Sequence, residues 1–444
     1  MKKVTTLALV GLLGVSAGAY ATEARDLGFG AASQFIVSDS SYTTLPQEVL
    51  TYKDNTYLEL GSNNLYVPSD NYSKYNSNQN VWGGANVSLG SGALGIWVGR
   101  PNNDFSGLYN NSQLQLNGTV ANGMGNLLGI GAGNTIADFM HDGDTAQDRV
   151  DVIYAFDLTE MANLAIGINR ANYDYKADFG STGYNSWNSQ NLGLSLGSDI
   201  KGLDPVKLLQ VGLQVNMESQ AADANNGVDN KFISNATDVQ LRVGGDVAGD
   251  NGRFGRAELG VGIGSLQVKT EPNGGTTYAD NGFATTYNVG YAVGMTKDKS
   301  MALAGLMVYG DLGNDDNTAL VPGEKYSYND INVVLSTGGE TKLTSWLTAR
   351  CGLRGSLFSM GSEQHNTTKS AGNPQYSYSP DYAQLGGNLN IGSSATASLG
   401  LSLNFGNLTL DGVLNQNVLY SGTYLASGIP EALFSQVSAT YSWM

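Results

Sequence analysis

The chain has 444 residues, of which only 14% are charged, and it contains 59 glycines but only 9 prolines. Ordinary soluble domains have about 25% charged residues and about 7% glycine, so this composition, with a mean hydropathy of -0.18, excludes a highly charged disordered chain and a bundle of membrane-spanning helices. The formal net charge of -16 argues against nucleic acid as the main partner.

Residues 1–21 have the three parts of a secretory signal peptide. Lys2 and Lys3 form the positively charged n-region, residues 7–15 form the apolar h-region, and the sequence AYA at 19–21 provides a cleavage site. The apolar part is shorter than the ~20 residues that a helix needs to span a bilayer. We therefore expect cleavage after residue 21 and export across the inner membrane.

Residues 22–80 fit a strand pattern less well than the rest of the chain. They contain one plausible first strand, near Thr56–Leu60. We predict that the remainder forms a periplasmic lead-in or a plug. Residues 101–146 are equally compatible with two poorly patterned strands and with a loop folded into a barrel lumen.

Residues 81–444 alternate between apolar and small or polar residues over most of their length. In segment 287–295, for example, Tyr, Val, Tyr, Val and Met alternate with Asn, Gly, Ala and Gly. A period of two predicts strands with one apolar face. Many of these segments have about ten residues, which matches the ~9–11 residues that a tilted strand needs to cross a bilayer.

Short and long connections alternate along this region. Residues 90–92 and 406–407 are examples of tight turns. The longer polar segments, which we predict to be loops, are 170–188, 219–235, 269–283, 310–325 and 360–381. An open sheet cannot span lipid, because its edge amide and carbonyl groups would be unpaired. The sequence therefore predicts an all-β fold, a transmembrane antiparallel up-and-down β-barrel of about 14–18 strands with about 16 as the best estimate.

The end of the chain supports the same fold. Val437, Ala439, Tyr441 and Trp443 form an apolar row that stops one residue before Met444. With the signal peptide and the alternating strands, this row resembles the last strand of Gram-negative outer-membrane β-barrels of the porin type, which usually ends in Phe or Trp. The resemblance implies an outer-membrane location, partners in the barrel assembly machinery, in lipid and in lipopolysaccharide, and a monomer or homotrimer, with no nucleic acid.

Charged residues within the predicted strands share the parity of the small and polar residues. An Arg or Lys side chain on the lipid face would cost about 2–4 kcal/mol near the midplane of the bilayer. The parity of the charged residues therefore indicates that their side chains face the lumen. The predicted pore-lining residues are Arg149, Asp151, Asp157, Glu218, Asp238, Arg242, Arg256, Glu258, Asp330, Lys342, Arg350 and Arg354. Given the interior acids and the negative net charge, we expect a mild cation preference.

Motifs that suggest catalysis or metal binding are weak. The sequence GLSLG at 193–197 matches the G-x-S-x-G pattern of a nucleophile elbow, but no helix follows it. His141 and His365 both lie in polar segments. We expect no enzyme activity and no cofactor. Loop-bound calcium stays open for three acid-rich segments, which are 141–151, 223–230 and 310–316.

Three functions fit such a barrel. The first hypothesis is a porin for passive diffusion of small hydrophilic solutes or ions, because barrels of about sixteen strands leave an aqueous channel. The second is a transporter for hydrophobic compounds, similar to the fatty-acid transporter family, with residues 25–60 as a plug and an apolar pocket. The third is an adhesion or structural barrel whose Tyr- and Asn-rich loops bind a partner.

Overall fold

The structure is a computed structural model of the chain. It describes residues 23–36, 42, 44–61, 80–100, 149–178, 184–225, 229–249, 252–271, 278–316, 325–366, 377–378, 382–385, 395–414 and 434–443. The predicted signal peptide, 1–21, and segment 101–146, predicted to form strands or a luminal loop, lie outside these residues.

In the described part of the chain, three short helices precede the first strand. Helix α1 spans Glu23–Phe29, a 3₁₀ helix spans Gly30–Phe35, and α2 spans Glu48–Thr51. No described helix is both long enough and apolar enough to cross a membrane.

Most of the other described residues form β-strands. The segments are β1 (Asn55–Gly61), β2 (Asn80–Leu89), β3 (Gly92–Val98), β4 (Val150–Thr159), β5 (Ala162–Asp178), β6 (Tyr184–Leu203), β7 (Val206–Asn225), β8 (Asp229–Ala248), β9 (Arg253–Glu271), β10 (Tyr278–Lys297), β11 (Ser300–Asp316), β12 (Lys325–Lys342), β13 (Leu347–Asn366), β14 (Ser377–Tyr378), β15 (Tyr382–Leu385), β16 (Ala395–Phe405), β17 (Leu408–Leu414) and β18 (Phe434–Ser442).

These segments form a single antiparallel sheet that closes on itself. β1 pairs with β2 on one side and with β18 on the other. β14, β15 and β16 pair with β13 one after another along its length, so they share one position in the wall. The result is a closed 16-strand antiparallel barrel, which confirms the predicted fold class and the best-estimate strand number.

Tight turns join the strands at one end of the barrel. Gly90 and Gly406 begin two of them with φ values of 62° and 66°, a left-handed conformation that glycine adopts without a steric penalty. The turns between β4 and β5, β6 and β7, and β10 and β11 are at this same end. We call it the short-turn end and the opposite end the long-loop end.

The strands β5–β13 are longer than predicted. Each has 17 to 20 residues. Most residues of the five polar segments predicted as loops are therefore strand, which corrects that prediction. At ~3.3 Å per residue, a strand of this length is roughly 60 Å long, about twice the thickness of a hydrocarbon layer. Where a strand extends beyond the hydrocarbon layer, neither of its faces has to be apolar. The alternation of apolar and polar residues is therefore lost in that part of the sequence.

The apolar rows face outward near the short-turn end. On β10, Val289, Tyr291 and Val293 are 52–55% exposed, whereas Gly290 and Ala292 between them are buried. Most of the other strands repeat this alternation with the same sense. The wall therefore has an apolar outer face and a small or polar inner face.

Candidate functional site: the collar and the chamber

Residues 23–36, 42 and 44–52, which we call the collar, lie against the inner face of the wall. Helix α1 contacts β12, β13, β16, β17 and β18, the 3₁₀ helix contacts β9, β11, β12, β13 and β16, and α2 contacts β3 and β4. Phe29 and Phe35 are no more than 2% exposed. The described N-terminal residues thus meet strands on all sides of the lumen before the chain enters β1.

Glycines on the inner face make room for the collar. A Cβ atom added to Gly212 would collide with the carbonyl oxygen of Thr44, and one added to Gly352 would collide with that of Phe29. At four other inner-face glycines an added Cβ atom would lie less than 3.0 Å from a collar atom, and they are Gly197, Gly290, Gly305 and Gly338. Part of the high glycine content therefore allows the wall and the collar to approach closely.

An aromatic cluster joins the collar to β1, β2 and β3. The ring of Tyr42 stacks on that of Trp97 at a centroid distance of 4.3 Å, and Tyr57 and Trp82 approach the same indole at 4.9 and 5.8 Å. The guanidinium of Arg100 lies 4.7 Å from the Tyr42 ring centroid, a cation–π distance. The four rings are buried, so their burial stabilises this part of the collar.

A buried polar cluster joins α2 to β6, β7 and β9. The carboxyl group of Glu48 accepts a hydrogen bond from Nε2 of Gln210, and the same nitrogen donates to Oδ1 of Asp199 at 3.2 Å. Nε2 of Gln47 also donates to Oδ1 of Asp199, at 3.0 Å. Nη2 of Arg256 donates to Oε1 of Gln210 at 2.8 Å. Two consecutive collar residues are therefore bound directly to β6 and β7, and Gln210 links them to β9.

The position of Glu48 in this cluster changes its acidity. Burial, together with the nearby negative charge of Asp199, raises the pKa of Glu48 from 4.5 to about 7. The hydrogen bond from Gln210 and the charge of Arg256 oppose this change without reversing it. Near neutral pH the group therefore exchanges between a neutral form and an ionised form that places a second negative charge beside Asp199.

A second cluster holds α1. Nη2 of Arg25 lies 3.1 Å from Oε1 of Glu340, and Nε of Arg350 lies 3.0 Å from Oε2 of the same carboxylate. Nη1 of Arg350 lies 2.6 Å from Oδ1 of Asp411, and these two side chains are 2% and 0% exposed. Because removing one partner of so buried a pair leaves an uncompensated charge, the cluster is expected to behave as a unit.

A chamber of about 780 Å³ lies next to the collar on its long-loop side. On β11, Gly305 packs against Phe35 of the collar, and the next inward positions, Met307, Tyr309 and Asp311, line the chamber. The charged lining residues are Asp26, Arg242, Glu258, Asp311 and Arg354. Amide and hydroxyl groups come from Gln240, Thr286, Asn288, Tyr309 and Asn332. The chamber is therefore a polar space between the collar and β8–β13.

The structure places the predicted pore-lining residues in three kinds of position. Those with buried side chains are Arg149, Asp151, Glu218, Asp238, Arg256, Glu258 and Arg350. Arg242 and Arg354 are partly buried and line the chamber. Asp157 and Lys342 are exposed near the short-turn end. The side chain of Asp330 lies outside the described part of the structure.

Several of these charges are paired with one another. Nη2 of Arg149 lies 2.8 Å from Oδ1 of Asp151, and Nε of Arg242 lies 3.2 Å from Oε2 of Glu258. Arg256 also contacts Glu258. Many of the luminal charges are therefore neutralised by a neighbouring side chain. The parity of the sequence predicted that these residues face inward, but not that they pair.

Sequence reasoning placed Arg256 and Arg350 in the lumen but missed the other residues that hold the collar. Asp199 lies on the same inward row of β6 as Ser195, and Glu340 lies at the end of β12, so a longer parity count would have placed Asp199 inside. Arg25 and Glu48 lie in a segment without periodicity, and no local pattern marks them.

The described residues that match catalytic or metal-binding motifs do not form a catalytic or metal site. The G-x-S-x-G match at 193–197 lies within β6, where Ser195 is buried on the inner face. His141 and the side chain of His365 lie outside the described residues. Within the described ranges, no group of three or more His, Cys, Asp or Glu residues could hold a metal ion.

No protein-family model and no curated protein matches the chain. Among solved structures it is similar to the copper transporter OprC, with 10% identity and a TM-score of 0.38 over 81% of this chain and 66% of that chain. It is also similar to the ferric yersiniabactin uptake receptor FyuA from Yersinia pestis, with 11% identity and a TM-score of 0.35 over 60% of this chain and 44% of that chain. For the toluene transporter TodX from Pseudomonas putida the identity is 9% and the TM-score 0.34, over 97% and 94% of the two chains. The chain spans less than two thirds of OprC and of FyuA, and all three TM-scores are below 0.5, so no function is transferred from these proteins.

Proposed function

We propose that this protein is an outer-membrane channel for the passive diffusion of small hydrophilic solutes. The observation that carries the proposal is the opposite polarity of the two faces of one closed wall. The outer face exposes apolar rows, and the inner face surrounds a polar chamber of about 780 Å³.

The outer face supports a position within a lipid bilayer. On a water-soluble monomer, contiguous exposed apolar patches larger than a few hundred Å² are rare, whereas the exposed apolar rows on the neighbouring strands β3, β4, β5 and β6 continue from strand to strand. In hydrocarbon these side chains are in a favourable solvent, and the closed sheet pairs its backbone groups internally. We place the barrel in the outer membrane, with lipid, lipopolysaccharide and the barrel assembly machinery as its partners.

The chamber supports a hydrophilic cargo. Its lining contains charged, amide and hydroxyl groups together with a smaller number of apolar residues, which are Leu241, Val261 and Met307. An apolar solute would remove water from these groups without replacing the hydrogen bonds, which is costly. A hydrated solute can exchange hydrogen bonds with them. With strands ~4.8 Å apart and a tilt of about 40°, a 16-strand barrel has a backbone diameter of about 30 Å, which is wide enough for both a collar and water.

The collar favours a second candidate, a transporter in which an N-terminal plug controls entry. Buried collar residues such as Phe35 and Glu48 lie within the lumen, as that hypothesis requires. The polar chamber beside them does not fit the hydrophobic cargo of the hypothesis. We therefore assign the collar the role of narrowing a channel for hydrophilic solutes.

The charges of the chamber support a mild cation preference. Asp26, Glu258 and Asp311 line it against Arg242 and Arg354, and the whole chain has a net charge of -16. Fixed charges of one sign raise the local concentration of the opposite ion. The proposal includes no catalytic step.

Planar-bilayer recordings of the purified chain test the proposal. We expect stepwise conductance, with a reversal potential in a KCl gradient displaced toward that of K⁺. Sugars should enter proteoliposomes at rates that fall as their size rises. A silent bilayer together with sugar-impermeable proteoliposomes would refute the channel. Conductance that appears only when residues 23–36 are deleted would favour the plugged transporter.

A further inference from the structure

Arg354 differs from the other described arginines of the lumen in its ion pairing. Within the described residues, no ion pair joins Arg354 to a carboxylate, although its side chain lines the chamber. The arginines that do have a carboxylate partner are Arg25, Arg100, Arg149, Arg242, Arg256 and Arg350. A partly buried cation that lacks a counter-charge gains free energy from an anion that reaches it.

Tyr309 holds the guanidinium of Arg354 in place. Nη2 of Arg354 on β13 donates to Oη of Tyr309 on β11 at 2.6 Å, and Cζ of the arginine lies 5.6 Å from the centroid of the tyrosine ring. A guanidinium has five N–H donors, and this bond uses one of the two on Nη2. The other N–H of Nη2 can still form a two-donor fork with either Nε or Nη1. The side chain is therefore oriented before any solute arrives, which reduces the entropy lost on binding.

We propose that the chamber is a binding site for a small polyhydroxylated carboxylate, with Arg354 as the group that recognises the carboxylate. A carboxylate accepts two parallel N–H bonds from a guanidinium fork. Asn288 and Asn332 supply amides to the same chamber, and an amide can both donate to and accept from a hydroxyl group. The inference rests on the proposed function, because it names a class of solute for that lumen.

The other charges of the chamber restrict the anion. Asp26, Glu258 and Asp311 share the space with Arg354, and they disfavour a doubly charged group such as a phosphate monoester more strongly than a single carboxylate. The volume of about 780 Å³ lies within the range of roughly 300–1,000 Å³ that small-molecule sites occupy. Because three acids and two arginines line the chamber, one arginine without a carboxylate partner also leaves the overall cation preference unchanged.

Calorimetric titration of the detergent-solubilised full chain with gluconate tests the site, with glucose as the neutral analogue. We expect gluconate to bind and glucose to bind at least about tenfold more weakly. Arg354→Gln should weaken gluconate binding by about tenfold or more, because a charge-assisted bidentate contact is lost. Arg354→Lys should weaken it less, since the charge stays but the planar fork is lost. Tyr309→Phe keeps the charge and removes the hydroxyl that orients it, so it should give an intermediate loss.

Arg170→Gln is the matched control. Arg170 is an exposed residue of β5, so its substitution makes the same change in net charge away from the chamber and should leave gluconate binding unaltered. Equal binding of gluconate and glucose, or wild-type binding by Arg354→Gln, would overturn the site. Should Arg354→Gln fail to fold by circular dichroism, Arg354→Lys and Tyr309→Phe decide the question.

The titration is independent of conduction, which separates the two proposals. A chain that conducts but does not distinguish gluconate from glucose overturns the site and leaves the channel. A chain that binds gluconate through Arg354 but is silent and impermeable to sugars overturns the channel and leaves the site.

Discussion

The carboxyl group of Glu48 in the collar accepts a hydrogen bond from the side-chain amide of Gln210 in the barrel wall. The same amide donates to Asp199, so one donor serves two acidic groups from different parts of the chain. Protonation of Glu48 removes the repulsion between them. The attachment of the collar to the wall is therefore coupled to pH.

We predict that the folded protein is more stable at pH 5 than at pH 8. Burial and the charge of Asp199 raise the pKa of Glu48 from 4.5 to about 7, so the folded chain binds this proton more tightly than the unfolded chain. The resulting stabilisation is fully present below the unfolded pKa and is lost as the pH rises through the folded pKa. It corresponds to about 3 kcal/mol. Thermal unfolding midpoints in detergent, measured from pH 5 to pH 8, check the prediction.

Glu48→Gln is the control for this effect. Glutamine resembles the neutral acid in shape, and its carbonyl oxygen can still accept from Gln210. The difference in unfolding midpoint between pH 5 and pH 8 should shrink in this variant. Parallel pH profiles for the variant and the wild type would show that another group titrates.

We predict that a side chain at Gly212 displaces the collar. A Cβ atom there would collide with the carbonyl oxygen of Thr44, and overpacking of this kind costs about 1–3 kcal/mol. Trypsin should therefore cleave the peptide bond after Arg25 faster in Gly212→Val than in the wild type. Gly355→Val is the matched control, since an added Cβ atom there meets nothing within 4 Å. Equal cleavage rates in both variants would contradict the position assigned to the collar.

Arg350 is expected to be important for stability. Its guanidinium is 2% exposed and contacts Glu340 and the fully buried Asp411. Removing one partner of a buried pair leaves an uncompensated charge and typically costs about 3–5 kcal/mol, so Arg350→Ala should markedly lower the unfolding midpoint.

The exposed pair of Lys207 and Asp204 provides the comparison. Its atoms lie 4.0 Å apart, and the side chains are 58% and 92% exposed. Because such surface pairs contribute ~0–1 kcal/mol, Lys207→Ala should leave the midpoint nearly unchanged. Similar losses in Arg350→Ala and Lys207→Ala would argue against a structural role for the buried cluster.

The sequence predicts the wall better than its ends. Alternation in 287–295 identifies β10 and the face of it that points outward. In a strand with one apolar face, apolar residues alternate with small or polar ones, and this period is visible in the sequence. In 219–235 the alternation is lost, and these residues, predicted as a loop, belong largely to β7 and β8. The hydrogen bonds of a ladder need no apolar face, so strands of this kind leave no periodic signal.

The collar could not be located from sequence for a different reason. Gln47 and Asp199 are bonded across 152 positions of the chain, and no local pattern records such a contact. The glycines that receive the collar, such as Gly212 and Gly352, look like ordinary small residues of an inner face. Parity indicated which charged residues point inward, but not that Arg242 and Glu258 neutralise each other while Arg354 is oriented by a tyrosine.

Cys351 allows the outer face to be tested without adding a reactive group. It is the chain's sole cysteine, it is exposed, and it lies on β13 beside Leu353, which is 59% exposed. If this row faces hydrocarbon, a nitroxide attached to Cys351 in the unfolded chain should, after refolding into bilayers, collide often with oxygen and rarely with a water-soluble nickel chelate. Lys299→Cys in a Cys351→Ser background places the label in the exposed turn between β10 and β11, where the two collision rates should be reversed. Frequent collision of the Cys351 label with the nickel chelate would mean that this row meets water, and the bilayer position of the barrel would then be wrong.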